Sequence, residues 1–227
     1  MSHELIKKAG KEGRNLLEHE AFFLLKSAGF PVPAVYLARS ADEAVKIAEE
    51  IGFPVVLKIV SPQIIHKTEA GGVILNLQDS MEVRESYQAI VANARQYNGD
   101  AEITGVLVTP MSKPGLEIIV GMVRNPMFGP TVMFGLGGIF VEVFKDIAFR
   151  RAPLTKQDAE EMIKETKGYE ILKGIRGQSP RDLEGVKEVL VKISELALRE
   201  EQIKEIDLNP VVVYEEGLQI LDARILL

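Results

Sequence analysis

The spacing of apolar residues changes partway along the chain, and that change limits the fold more than any single motif. Through the first hundred residues helical spacing alternates with short β-branched runs; from Gly105 onward the pattern is one of strands broken by proline and glycine. Leu16, Leu17, Ala21, Leu24, Leu25 and Ala28 recur at helical intervals, and Gly29 ahead of Pro31 and Pro33 closes that helix. The preceding stretch, residues 1–13, is polar and lacks the apolar core of a targeting signal. Ser40 with Glu43 predicts a capping box for a second helix ending at Gly52. Residues 55–60 read as a strand with one charge, Lys58, and a third helix starts at Ser80 with Val83, Tyr87, Ile90, Val91 and Ala94 on one face.

Beyond Gly105, strands are expected over 106–109, 116–122, 131–134 and 139–144, followed by helices over about 155–166 and from Ser179-Pro180 to about Glu200. The last strands, 205–213 and 218–226, are joined through Glu215-Glu216-Gly217. The expectation is two lobes, residues 15–103 and 104–227. The first is α/β and the second α+β on a mostly antiparallel sheet, with a functional cleft between them.

Composition removes several functions. The chain has 227 residues, 46% of them hydrophobic and 26% charged, which suits a folded protein with a real core. It contains no cysteine, so a thiolate nucleophile, a zinc ribbon and an Fe–S cluster are excluded, and any metal must sit on oxygen or imidazole. A net charge of −6 argues against duplex nucleic acid or an anionic membrane as partner. The charge-free stretch 125–141 holds Pro126, Pro130 and four glycines and is too short to span a bilayer. A cytoplasmic location is expected.

The last hairpin carries the most chemistry. Alternation places Glu205, Asp207 and Asn209 on one face and Ile206 and Leu208 on the other. If the turn closes over two to four residues, Asn209 falls opposite Asp222 within about one residue, because loop length sets register. Adjacent Asn and Asp oxygens on rigid strands suit Mg²⁺, which takes few protein oxygens and leaves positions for phosphate. The same pattern is met by Asp222 pairing with Arg224 or a lysine while Asn209 shapes the turn before Pro210.

Lys58 must leave its strand on the face opposite Leu57 and Ile59, where a phosphate would satisfy it; a lysine on the wet face of a half-exposed strand fits equally. The loop 61–72 combines His66, Lys67 and the pair Gly71-Gly72. Adjacent glycines let backbone amides approach an anion and let a loop move. The loop lacks the Gly-Lys-Ser/Thr ending of a Walker A motif, and Gly135-Leu136-Gly137-Gly138 runs into a strand pattern, which a dinucleotide fingerprint does not. A loop histidine is most often solvated surface. A neutral imidazole is also a good phosphoryl acceptor, and His66 has glycine, lysine and a possible Mg²⁺ site to accompany it.

From about residue 15 to the end, the chain resembles the ATP-grasp subunits of ADP-forming acyl-CoA synthetases, the acetyl-CoA type in particular, and more distantly the beta subunit of succinyl-CoA synthetase. The matching stretches, in family order, are Phe53-Pro54-Val55-Val56-Leu57-Lys58, Ser61-Pro62 through His66-Lys67-Thr68-Glu69-Ala70-Gly71-Gly72-Val73, Phe128-Gly129-Pro130, Phe134-Gly135-Leu136-Gly137-Gly138 with Glu142, and Glu205-Ile206-Asp207-Leu208-Asn209-Pro210. The resemblance implies a two-lobed ATP-grasp fold with the nucleotide, ATP or ADP as substrate, between the lobes. It implies that Lys58 contacts the phosphates, that residues 108–111, with Val108, Thr109 and Met111, form the hinge whose backbone reads adenine, and that Glu117 lies near the ribose. Gly71 and Gly72 would belong to a mobile loop over the phosphates, Asn209 and Asp222 would hold Mg²⁺, and Asp207 would steady an incoming phosphohistidine.

A histidine at the position of His66 is a mark of the acetyl-CoA type. The resemblance implies that it takes a phosphoryl group from a partner's phosphohistidine and delivers it to ADP, in acyl-CoA + ADP + phosphate giving acid + ATP + CoA. The CoA-binding and ligase lobes of the family have no counterpart in this sequence. A separate alpha subunit is therefore expected, in an assembly such as α2β2, the chain starting at Met1 and ending just after its last strand. The alternatives are an ATP-grasp ligase that makes an acyl phosphate directly and a nucleotide-sensing regulatory module.

Overall fold

A computed structural model of the chain describes residues 2–138, 146–175 and 177–227. It divides into two compact units, Pro33–Lys113 and a second made of Met1–Val32 with Pro114–Leu227.

In the unit Pro33–Lys113, strands β1 (Tyr36–Ala38), β2 (Val55–Val60), β3 (Val73–Leu77) and β4 (Gly105–Pro110) form an antiparallel sheet in the order β1-β4-β2-β3. Helices α3 (Ala41–Ile51) and α4 (Ser80–Tyr97) cover one face. Val55, Leu57, Ile59, Val106 and Val108 point into that layer and meet Ala44, Ala48, Val83, Ile90 and Ala94, all buried. The capping signal acts as expected: the Ser40 hydroxyl accepts from the Glu43 N–H at 3.1 Å. The Glu43 carboxylate reaches back one residue further than in the usual box, to the Arg39 N–H at 2.7 Å.

In the other unit, β5 (Leu116–Asn125), β6 (Gly129–Leu136), β7 (Ile147–Arg151), β8 (Glu205–Val213), β9 (Leu218–Ile220) and β10 (Ala223–Leu226) form an antiparallel sheet in the order β10-β8-β5-β6-β7, with β9 on β8. Helices α5 (Lys156–Lys164) and α7 (Leu183–Arg199) pack on one face, and α6 (Tyr169–Leu172) is a single turn between them. Val186, Val189, Leu190, Ile193, Leu196 and Ala197 of α7 are buried, each of the larger ones contributing about 1.5–3 kcal/mol. Arg124 of β5 closes the far end of α7 by donating to the Ala197 and Ile203 carbonyls at 2.6 and 2.9 Å. Helix α2 (Glu18–Ser27) lies against β10, and α1 (Ser2–Lys11) against α2.

Several expectations need correction. Residues 104–110 belong with the first sheet: β4 is flanked by β1 and β2, so the division falls at 113/114 and not at 103/104. Helix α2, expected to open the first lobe, belongs to the other unit because the Leu16 N–H donates to the Ile225 carbonyl at 3.3 Å. The polar amino terminus forms a helix, since Ile6 and Ala9, three residues apart, bury completely. The long helix starts at Asp182 and not at Ser179-Pro180, because the Asp182 carboxylate accepts from the Gly185 N–H at 2.8 Å. Strands β1 and β7 are too short to show a period of their own in the sequence. The strand expected over 139–144 and Glu142 lie outside the described residues. Among the described residues no helix is long and apolar enough to cross a membrane.

Candidate functional site

The terminal hairpin sets its own register. The Tyr214 N–H donates to the Gly217 carbonyl across a turn in which Gly217 has φ 77°, and β8 and β9 pair Val213 with Leu218 and Val211 with Ile220. Past the short break at Leu221 and Asp222, β10 pairs Ala223 with Leu208 and Arg224 with Asp207. Asn209 and Asp222 therefore face each other, the Asn209 N–H donating to the Asp222 carbonyl at 3.3 Å. This is the pair that loop length and alternation select. Asn209 is exposed and Asp222 half-buried. An amide oxygen on β8 and a carboxylate on the segment between β9 and β10 fit a small hard cation that keeps waters or phosphate oxygens as its remaining ligands. Among the described residues there is no group of three or more His, Cys, Asp or Glu side chains placed to enclose a metal.

Two residues along β8, Asp207 pairs with Arg224 of β10. The Arg224 guanidinium donates to Glu205 Oε1 at 2.6 Å and stands 3.7 Å from Asp207 Oδ2. The face opposite α5 and α7 continues inward from Asp207 through Gly121 of β5, Met133 of β6 and Phe149 of β7, which lie in register. Gly121 has no side chain to fill this row, and a groove of about 570 Å³ opens over it, walled by Val123, Phe128, Met133 and Phe149 and ended by Glu205, Asp207 and Arg224. Sequence reasoning offers Arg224 only as a partner for Asp222 and misses its place at this site. The available signal is its hairpin register opposite Asp207.

Glu117 lies near the start of β5, exposed, and its carbonyl accepts from the Gly137 N–H at 2.9 Å. A side chain at Gly137 would press on Glu117 Cβ at 3.1 Å and on its backbone at 3.2 Å, so this glycine permits a close approach between the two segments.

In the unit Pro33–Lys113, Lys58 is paired with Leu107 on β4 and Val73 on β3 and is buried, 8% exposed. It shares its face with Val56 and Val60, away from the helix layer. The reading of a lysine on a wet strand face is thus overturned: every residue of β2 is buried. Val108 has its side chain in the helix-side core, Thr109 is buried on the Lys58 face, and Met111 is exposed. The Met111 N–H donates to the Pro54 carbonyl at 2.9 Å, so a base read by this segment must use other backbone atoms.

His66 is exposed and opens a single helical turn, its carbonyl accepting from the Ala70 N–H at 3.1 Å. That turn ends in a Schellman motif: Gly72 donates to the Lys67 carbonyl at 2.7 Å and Gly71, at φ 59°, to Thr68 at 3.0 Å. The amides of Gly71 and Gly72 are thereby engaged within the loop, and the expectation that they cradle an anion does not hold in this conformation. The glycines answer other needs. Gly71 takes the left-handed conformation with Asn93 Nδ2 donating to its carbonyl at 3.0 Å, and a side chain at Gly72 would run into Ile59 and the Lys67 carbonyl. Ile64 and Ala70, both buried, anchor the loop to the core.

Three comparisons with known proteins bear on this arrangement. A family model described as ATP-grasp domain matches residues 8–227. The beta subunit of acetate–CoA ligase (ADP-forming) I from Pyrococcus furiosus is 53% identical over 226 residues, covering 100% of this chain and 97% of that one. The dinucleotide-forming acetyl-coenzyme A synthetase 1 of Ca. Korarchaeum cryptofilum, solved with coenzyme A, Ca-AMPCP and HgCl+, superimposes with a TM-score of 0.97 at 51% identity, over 100% of both chains. A selenomethionine form of that synthetase, solved with coenzyme A and Mg-AMPPCP and its phosphohistidine segment pointing towards the nucleotide binding site, gives 0.88 at 48% identity, again over 100% of both.

Proposed function

The chain belongs to the ATP-grasp family, and from that premise we propose that it is the nucleotide-binding beta subunit of an ADP-forming acyl-CoA synthetase of the acetate–CoA ligase type. The observation that carries the reading is the contact of Asn209 with Asp222 beside the Asp207–Arg224 pair, in a chain that matches such a beta subunit over its whole length. The alpha subunit would bring CoA binding and the first phosphohistidine, in an α2β2 assembly in the cytoplasm.

The chemistry divides among this chain's residues as follows. The phosphohistidine of the partner gives its phosphoryl group to an imidazole nitrogen of His66, the N–P bond to the partner breaking as the new one forms. His66 then yields the group to the terminal phosphate oxygen of ADP, making ATP and regenerating the neutral imidazole. Asp207 accepts the N–H of the imidazole that faces it, fixing its tautomer and balancing its charge while the phosphoryl group is in transit. Lys58 neutralises phosphate charge from a position already buried, which strengthens the attraction. Glu117 and the 108–111 segment hold ribose and base.

Asn209 and Asp222 would hold Mg²⁺. Held there, the ion would supply positive charge to offset the negative charge that builds during transfer.

The test is ATP formation from ADP, Mg²⁺ and the phosphorylated alpha subunit. The proposal expects ATP with the wild-type chain, none with His66→Ala, and ADP binding retained with Asp207→Ala while transfer is lost. Full activity in His66→Ala would sink the relay, and an acyl phosphate released in its place would favour a direct ligase.

A further inference from the structure

The guanidinium of Arg224 sits between two carboxylates but serves them unequally. It hydrogen-bonds Glu205 at 2.6 Å and remains 3.7 Å from Asp207, within ion-pair range and beyond hydrogen-bond reach. Arg224 Nε is buried without a hydrogen-bond partner among the described residues. A buried donor left this way is unfavourable. An arginine placed only to stitch the edge strand β10 to β8 would be expected to satisfy its Nε. The backbone also fixes where the side chain stands: Arg224 is the register partner of Asp207, so these two side chains lie on one face of β8 and β10, and the Asn209 N–H donates to the carbonyl of Asp222 just ahead of β10.

We propose that Arg224 is a positioning residue for phosphoryl transfer, holding the Asp207 carboxylate in place by charge while Glu205 keeps the guanidinium from closing on it. The inference rests on the reading of Asp207 given above and adds to it. Anchoring by Glu205 matters because a guanidinium free to pair bidentately with Asp207 would occupy the oxygens that an imidazole N–H needs. Arg224 touches no reacting atom in this scheme. Its effect reaches the reaction through Asp207 alone, as outer partners of site residues act elsewhere.

The experiment measures ATP formation by the complex of this chain with its phosphorylated partner subunit, in Arg224→Gln, Arg224→Lys, Glu205→Gln and Asp207→Asn, with ADP as the varied substrate. The expected result is that Arg224→Gln lowers kcat about tenfold to a hundredfold with KM for ADP within about twofold, and that Arg224→Lys recovers most of the loss. Glu205→Gln should also lower kcat, and adding Arg224→Gln to Asp207→Asn should cost nothing further. Unchanged kcat in Arg224→Gln, with Asp207→Asn inactive, overturns this inference and leaves the reading of Asp207 standing. A loss of kcat and ADP affinity together, accompanied by a lowered Tm and no rescue by lysine, also overturns it, by making Arg224 structural. Full transfer by Asp207→Asn would remove the underlying reading first.

Discussion

The Asn209 N–H donates to the Asp222 carbonyl at 3.3 Å, which sets Asp222, the residue just ahead of β10, beside Asn209 of β8 at the edge of the larger sheet. Their placement follows from the hairpin between them, whose register is fixed on both sides of Leu221 by paired strands. The backbone contact brings the two residues together, and their side-chain oxygens are the donors offered to a cation.

Asp222→Ala and Asn209→Ala should each raise the Mg²⁺ concentration for half-maximal ATP formation by about tenfold or more. Each should leave the far-ultraviolet circular dichroism unchanged, because the hydrogen bond between them is made by backbone atoms. Titration of Mg²⁺ in the ATP-forming assay checks this; an unaltered metal requirement in both variants would remove the pair from metal binding.

Gly72→Ala should destabilise the chain by about 1–3 kcal/mol, because the new methyl meets the Ile59 side chain and lies 3.1 Å from the Lys67 carbonyl. For a protein of this size that is a fall in Tm of about 2–4 °C per kcal/mol. With both glycine amides engaged inside the loop, KM for ADP should change by less than about twofold in the protein that folds. A normal Tm with a large rise in KM would show that the loop adopts another conformation when nucleotide is present.

Asp182→Ala should remove two tethers at once, the Gly185 N–H at the start of α7 and the Gly217 N–H in the terminal turn, at 2.8 and 2.9 Å. Loss of an N-cap costs about 1 kcal/mol and the second hydrogen bond adds a comparable amount. Hydrogen exchange should quicken at Gly185 and Gly217 together, whereas exchange at only one of them would mean that the carboxylate does not bridge helix and hairpin in solution.

Acid should weaken the amino-terminal region through Glu20. Burial pushes its carboxyl upward, but hydrogen bonds from Arg14 at 2.6 and 2.9 Å and from the Leu17 N–H at 2.9 Å outweigh burial, and the net shift is below the ordinary 4.5. A folded value below the unfolded one means that the stabilisation is complete above the unfolded value and drains away as pH falls through the folded one. Glu20→Gln should therefore melt about 2–4 °C lower at pH 7, reflecting about 1 kcal/mol, and the gap should close as the pH is lowered below about 4. Parallel melting curves from pH 7 to pH 3 would disprove the linkage.

Much of the fold is legible in the sequence because it is written locally. Ser40 with Glu43, Gly52 at φ 85°, and the 3.6-residue spacing after Ser80 each act within a few residues of chain, and α3 and α4 stand where these signals place them. The last hairpin is readable for the same reason: alternation assigns faces and a short turn assigns register, so the pairing of Asn209 with Asp222 follows from local signals alone. Partners are what local signals miss. Lys58 looks like a lysine on a wet face because its own strand shows one charge among apolar residues; its burial depends on what packs over that face, which strand periodicity does not encode.

The sequence by itself determined the helices with strong caps, the faces of the terminal hairpin and, through motifs in family order, membership of the ATP-grasp family. Only the tertiary structure decided that β4 joins β1 and β2, that α2 belongs with β10, that Gly71 and Gly72 terminate a helical turn, and that Arg224 stands between Glu205 and Asp207. The physical reason is range. Caps, turns and periodicity are interactions between near neighbours in the chain, whereas strand partners, buried faces and ion pairs are chosen by which distant segments bury their apolar surface together and satisfy their backbone groups in doing so.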